Sequence, residues 1–303
     1  MNKAYIFVVL TAFLFGTMES ACKIAGNGLD PFQLTFIRFA MGGIILLPFA
    51  LREIKKNQVK LVPKDFLILA GVGTLGIAVS MVFFQLGVSD SNAATTSVLI
   101  SINPLFTMVF AHFFTNEKMT IHKVYVLIIA FAGLVFMIRP WDIQEGNSIY
   151  GIVCMLIAAI TFGAYTVAGK VSVKKMGLMA QTSFSFLLGS AVLLIMILIA
   201  GKPVIAGVGN NFPLILYVGI FVTGMGYWSY FKAIQLSDAS TGSIAFFLKP
   251  AIAPVIAVIA LGETILWNTY VGIILILIGS YMNIHFQRKA NARKQQEQQT
   301  DNK

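Results

Sequence analysis

The sequence predicts an all-α membrane protein of ten transmembrane helices, arranged as two inverted-topology five-helix repeats. Three observations carry that expectation: few charges, long apolar runs, and an internal self-similarity that keeps its register. Of 303 residues, 57% are hydrophobic and 11% are charged, against about 25% charged in a soluble domain. The apolar residues fall in continuous blocks near the roughly 20 residues that cross a bilayer. A β-barrel would show short alternating stretches instead.

The runs lie at 4–25, 32–51, 66–86, 92–114, 121–138, 149–170, 181–200, 213–233, 239–261 and 267–286. The first follows Lys3, with no A-x-A site before Lys23, so it reads as a retained helix and not a cleaved signal peptide. The second carries FIRFAMGG, the third Gln85, and the fourth the stretch SNAATTSVLISINP (91–104). The sixth carries FGAYTVAGK (162–170) and the eighth GMGYWSYF (224–231). The ninth places Lys249 beside Pro250 in the middle of an apolar run. Residues 288–303 are polar and aperiodic, the signature of a disordered tail.

Charge placement orients the chain. With a cytoplasmic N-terminus, 17 of the 22 basic residues fall in cytoplasmic segments and only Lys23, Arg139 and Lys202 in outer loops. That bias is the positive-inside pattern, with both termini cytoplasmic and the protein multi-pass in the cell membrane. The same placement excludes nucleic acid as the partner of the +10 net charge. The partners expected are the lipid bilayer and a small-molecule substrate; a homodimer is compatible with the sequence. Cys22 and Cys154 both lie in apolar runs and read as small buried residues. No metal spacing and no cofactor motif occurs, so neither a metal nor a cofactor is expected. An enzyme is not expected either, because no HExxH, GxSxG, P-loop or dinucleotide fingerprint is present.

The halves repeat. FGTMESACK (15–23) matches FGAYTVAGK (162–170) at an offset of 147, which also pairs Thr35 with Thr182 and Gly42 with Gly189. SNAATTSVLISINP matches SDASTGSIAFFLKP (237–250) at an offset of 146, as do Glu117/Glu263 and Gly133/Gly279. The expected units are therefore 1–146, 147–287 and the tail 288–303. Five spans per half is an odd number, so the second half enters the membrane from the opposite side. Inverted repeats of this kind mark secondary transporters.

The FG of spans one and six, FIRFAMGG, INPLFTMVFAHFFTNEKMTIHKVYVLIIAFAGL and LKPAIAPVIAVIALGETILWNTYVGIILILIGS carry a resemblance. Over nearly the whole chain to about residue 287, it resembles the EamA-type proteins of the drug/metabolite transporter superfamily. The resemblance implies ten helices, a central cavity between the halves, and export of small metabolites or amino acids.

Ionisable residues inside spans are costly, at roughly 2.5–3.5 kcal/mol each on insertion scales, and usually face a bundle interior or water. There are three: Glu19, Arg38 and Lys249. At 1.5 Å per residue, Glu19 lies about 21 Å up from the cytoplasm and Arg38 about 9 Å below the outer face, at a similar level. A Glu19–Arg38 pair is the expectation, with Arg38 snorkelling outward as the alternative. Lys249, about 15 Å up, is expected near the midplane without a fixed protein partner. Pro104 and Pro250 each free one helix carbonyl, and broken backbone at that depth is tolerated where it lines a cavity. Lys249 would then attract a carboxylate-bearing or zwitterionic solute, Tyr227 and Trp228 would pack its apolar part, and Glu19 would handle a proton. Gln85 and Asn103 are further candidates, with ordinary interhelical bonding as their alternative. Glu117 and Glu263 read as carboxylates placed just before the next helix, favouring its dipole. An anion-selective channel or a non-transporting membrane scaffold is the alternative to a carrier.

Overall fold

The computed structural model describes residues 3–117, 119–138, 145–237, 239–242, 244–275, 277–279 and 281–282. The tail 288–303, Lys118, Arg139, Ser243 and His285 lie outside the described residues. Among the described residues there are helices and no strands. They are α1 (Lys3–Ala25), α2 (Pro31–Lys56), α3 (Pro63–Asp90), α4 (Ala93–Phe114) and α5 (Ile121–Ile138). Then come α6 (Ile149–Met176), α7 (Leu178–Ile199), α8 (Phe212–Leu236), α9 (Ile244–Leu261) and α10 (Trp267–Gly279). A short turn, Ala239–Gly242, precedes α9. Seven of these helices, α1–α4 and α6–α8, are long and apolar enough to cross a membrane.

Local chemistry sets the ends. Asp30 caps α2 by accepting from Phe32 N at 2.9 Å, and Pro31 occupies the first turn where its missing N–H costs nothing. Ser148 caps α6 by accepting from Gly151 N at 2.9 Å. Between α6 and α7 only Gly177 intervenes, at φ +94°, a conformation that side chains disfavour. Several helices outrun their apolar stretches: α2 continues through Lys55 and Lys56, and α6 through Lys174 and Lys175. Hydropathy marks where lipid ends, whereas backbone bonding continues into the interface, so the apolar runs underestimate these helices.

Contacts among helix ends and loops define two ends of the bundle. At one, Gln33 donates to Ala206 O (2.7 Å), Lys202 pairs with Asp30 (2.6 Å), and Asn92 donates to Glu145 O (3.1 Å). At the other, Lys175 pairs with Asp65, and Met179 N donates to Glu53 Oε2 at 2.7 Å. Helices α3 and α7 cross at backbone contact, because a Cβ on Gly73 would sit 2.8 Å from Gly189 N and 3.1 Å from its Cα. Glycine at both positions is what permits the approach.

The long helices are not regular throughout. α1 is interrupted at Thr17, and α4 by a turn at residues 101–102, just before Pro104. α3 and α8 each contain an eight-residue π-helical stretch, Thr74–Met81 and Val218–Met225. Such stretches are frequent at functional sites. The break expected at Pro104 is therefore present. The one expected at Pro250 is not, since α9 runs continuously through Pro250 and Pro254. Each proline removes one N–H from the ladder, and the remaining bonds of the helix carry it past both.

Candidate functional site

At the centre of the bundle Lys249 donates from Nζ to Glu19 Oε1, with side-chain exposures of 0% and 1%. The expected Glu19–Arg38 pair is thus replaced by Glu19–Lys249, and Lys249 is not left without a fixed partner. The reason lies in the packing of α1 on α9. Gly16 offers no side chain, so Ile252 closes on it: a Cβ there would lie 3.0 Å from Ile252 Cβ. Gly16 is three residues from Glu19, and Ile252 is three from Lys249. A depth counted along straight, upright helices misses this crossing, and the long lysine stem spans what remains.

Arg38 is fully buried in the same centre. It does not snorkel to a headgroup. Its guanidinium lies 4.6 Å from the Phe39 ring centroid and 5.6 Å from that of Phe84, and Nη1 sits 3.8 Å from Met18 Sδ. Lys249 Nζ is 5.9 Å from the same Phe84 ring and 5.6 Å from that of Phe246. Two cations therefore approach one aromatic ring, and one of them is paired with a carboxylate. Such contacts strengthen when desolvated, to about 2 kcal/mol or more.

The remaining valences are informative. Arg38 Nε and Nη2, Glu19 Oε2 and Gln85 Oε1 are buried and bonded to nothing among the described residues. Buried polar groups are normally satisfied, so these exceptions call for an explanation. Nε and Nη2 form one edge of the guanidinium fork, the geometry that receives a carboxylate through two parallel bonds. The orphan acceptors, Glu19 Oε2 and Gln85 Oε1, are the complementary half. Gln85 Nε2 is already directed at Cys22 O, at 3.5 Å.

The other sequence candidates separate. Tyr227 is buried in an aromatic box, its ring centroid 5.0 Å from Phe15, 5.4 Å from Phe39, 5.2 Å from Phe186 and 5.9 Å from Phe162. Its hydroxyl donates to Met81 Sδ at 3.0 Å. Trp228, one residue on, faces elsewhere and packs edge-on against Phe7 (5.6 Å, 88°). Asn103 donates to Ala159 O at 3.1 Å and accepts from Thr107 Oγ1 at 3.2 Å, so the structure places it in the α4–α6 seam. Glu117 and Glu263 each reach partners beyond the helix that follows them. Glu263 accepts from Ala93 N (2.8 Å) and Ala94 N (3.0 Å) at the start of α4, and Lys23 pairs with it at 3.2 Å. Lys23 also donates to Ser91 O at 2.7 Å. Glu117 pairs with Lys170 and accepts from Ala239 N at 3.2 Å. The sequence held the signal for these ties, because both lysines and both glutamates already matched in the repeat register.

A bundle of membrane-crossing helices sealed around a charged centre with open valences defines a polytopic membrane protein of the transporter class. The profile of the EamA-like transporter family matches residues 2–139 and again 149–284, and the chain belongs to that family. It is a transporter and not an enzyme. An uncharacterized transporter of Clostridium kluyveri is 37% identical over 298 residues, covering 96% of each chain. An S-adenosylmethionine uptake transporter of Rickettsia felis is 26% identical over 276 residues, covering 91% of this chain and 90% of that protein. One crystal structure superposes with a TM-score of 0.73 over 96% of this chain and 99% of its own, at 17% identity, a likeness of fold alone.

Proposed function

We propose that the protein is a secondary transporter, working as an exporter, that carries a small zwitterionic metabolite such as an amino acid through the Glu19–Lys249–Arg38 centre by alternating access. The carrying observation is the set of orphan valences. A substrate carboxylate fits the free edge of Arg38, and a substrate ammonium fits Glu19 Oε2 with Gln85 Oε1. The centre holds two cationic side chains and one anionic, and a zwitterion adds no net charge to it. Tyr227 and its aromatic neighbours form the apolar wall. Lys249 holds Glu19 in place until the substrate competes for it, and a proton on Glu19 would release the lysine for a carboxylate.

The architecture proposed is ten spans in two inverted five-helix units, 1–146 and 147–287, with both termini cytoplasmic. The double family match and the paired π-helical stretches of α3 and α8 support it. So does the position of matched residues at opposite ends: Lys23 lies at the Asn92 end and Lys170 near the Lys175 end. S-adenosylmethionine, named for the Rickettsia relatives, carries an α-amino-acid head, so the same receptor chemistry would suit it.

The test is counterflow in liposomes containing the purified protein. Matched zwitterions, amines and carboxylates of one carbon skeleton are compared. Saturable exchange is expected for the zwitterion and little for either half. Equal exchange of the bare amine would refute the assignment, and single-channel currents in a planar bilayer would replace the carrier with a channel.

A further inference from the structure

Among the ionic ties at the two ends of the bundle, two are built alike, one at each end. At the end holding Lys202 and Asp30, Lys23 of α1 pairs with Glu263, which follows α9. That glutamate also receives Ala93 N and Ala94 N at the start of α4. At the end holding Lys175 and Asp65, Lys170 of α6 pairs with Glu117, which follows α4. That glutamate also receives Ala239 N, just before α9. Each carboxylate thus reaches out of its own half of the chain and gathers a lysine and backbone N–H from the other half, two amides at Glu263 and one at Glu117. Both ties are partly buried, with side-chain exposures from 10% to 29%. Both are made in this structure, and between them Glu19 and Lys249 are sealed from solvent. A cleft of about 510 Å³ is lined by Lys23 of the first tie together with Asn27, Leu29 and Ser89.

The geometry points to Lys23–Glu263 and Lys170–Glu117 as the two gates of the transport cycle, each holding one face of the bundle shut. Opening the Lys23 face separates α1 and α4 from the Glu263 end of α9, so that tie breaks while the other persists. Opening the Lys170 face does the reverse. The two gates share one lysine–glutamate design, so their contributions to the two open states oppose each other. Removing one unbalances the pair. A two-state equilibrium moves by the differential free energy applied to it, and couplings of this kind give changes of about tenfold. This rests on the alternating-access reading above. Glu117 and Glu263 act here as positioning residues and need not touch the substrate.

Cys22 is a native reporter. It is buried one turn beyond Glu19, toward the Lys23 face. In a Cys154→Ala background, a membrane-impermeant maleimide is applied from each face of sealed vesicles. Glu263→Gln is expected to raise Cys22 labelling from the Lys23 face by about tenfold, and Glu117→Gln to lower it. Lys23→Met and Lys170→Met should move labelling in the same two directions, which guards against a glutamine variant that fails to fold. Labelling that moves the same way at both gates, or not at all, overturns the proposal. Substrate counterflow in the same vesicles tests the underlying reading separately. Intact counterflow with unresponsive labelling removes the gates alone, whereas labelling that responds without any saturable counterflow removes alternating access and the gates with it.

Discussion

Replacing Glu19 with glutamine should be the most damaging conservative change in the centre. The wild-type centre contains two cations and one anion, a net +1. Glu19→Gln makes it +2, with Lys249 and Arg38 both facing the Phe84 ring and no counter-charge. Breaking a buried pair in this way costs about 3–5 kcal/mol. Lys249→Met makes the centre neutral and leaves Glu19 with Arg38, whose free guanidinium edge can take over. Its cost should fall at or below the lower end of that range. The double variant returns to +1, so it should be more stable than Glu19→Gln alone, the mark of a coupled pair. At about 2–4 °C per kcal/mol, Glu19→Gln should lower the midpoint by about 10 °C. The assay is thermal unfolding of the purified proteins in one detergent, followed by tryptophan fluorescence and by loss of the monodisperse peak. Additive single-variant effects, or a Glu19→Gln midpoint within 2 °C of wild type, would refute this electrostatic reasoning.

Other expectations concern packing and access. Gly73→Ala should be poorly tolerated, because the new Cβ meets the α7 backbone, which cannot rotate away; about 1–3 kcal/mol is expected from overpacking. Gly71→Ala, two residues earlier with nothing within 4 Å, should be neutral or gain up to about 1 kcal/mol of helix propensity, and paired melts of the two variants check the contrast. Gly16→Ala should lower both stability and transport, since its Cβ would lie 2.6 Å from Ile252 Cγ2 at the α1–α9 crossing; partial recovery with Ile252→Ala would tie the loss to that contact. Cys154, fully buried in α6, should resist maleimide in the folded protein and react only after denaturation, as mass spectrometry would show.

The membrane class and the all-helical character were legible in the sequence because a bilayer imposes one coarse rule: about 20 apolar residues per crossing. That Glu19, Arg38 and Lys249 each call for an interior placement was legible for a related reason, namely that charge inside lipid is expensive, but their meeting in one centre was not, since Lys249 is expected apart from the other two. Nor was their pairing. It depends on the crossing of α1 and α9 at Gly16 and Ile252, and a tilt set by one missing side chain leaves no trace in hydropathy. Trp228 and Tyr227 illustrate the same limit, since adjacent helical residues project about 100° apart and only packing decides which one faces the centre. Asn103 reads from sequence as a polar candidate, and its bond to Ala159 O assigns it to a helix seam. The two lysine–glutamate ties lay in plain view as matched residues of the repeat. Their partners belong to the opposite half of the chain, and reading each glutamate beside its own following helix does not reach them.

Equilibrium binding of a labelled zwitterion to the detergent-purified protein, with Arg38→Gln beside wild type, is the sharpest single measurement. Arg38→Gln removes the two-bonded carboxylate receptor and leaves the Glu19–Lys249 pair intact. Affinity should fall at least about tenfold, as expected for a lost charge-assisted bond of about 1.5–3 kcal/mol. Undiminished binding by a folded Arg38→Gln protein would mean that the substrate is held elsewhere and that the buried charges serve only to hold helices together.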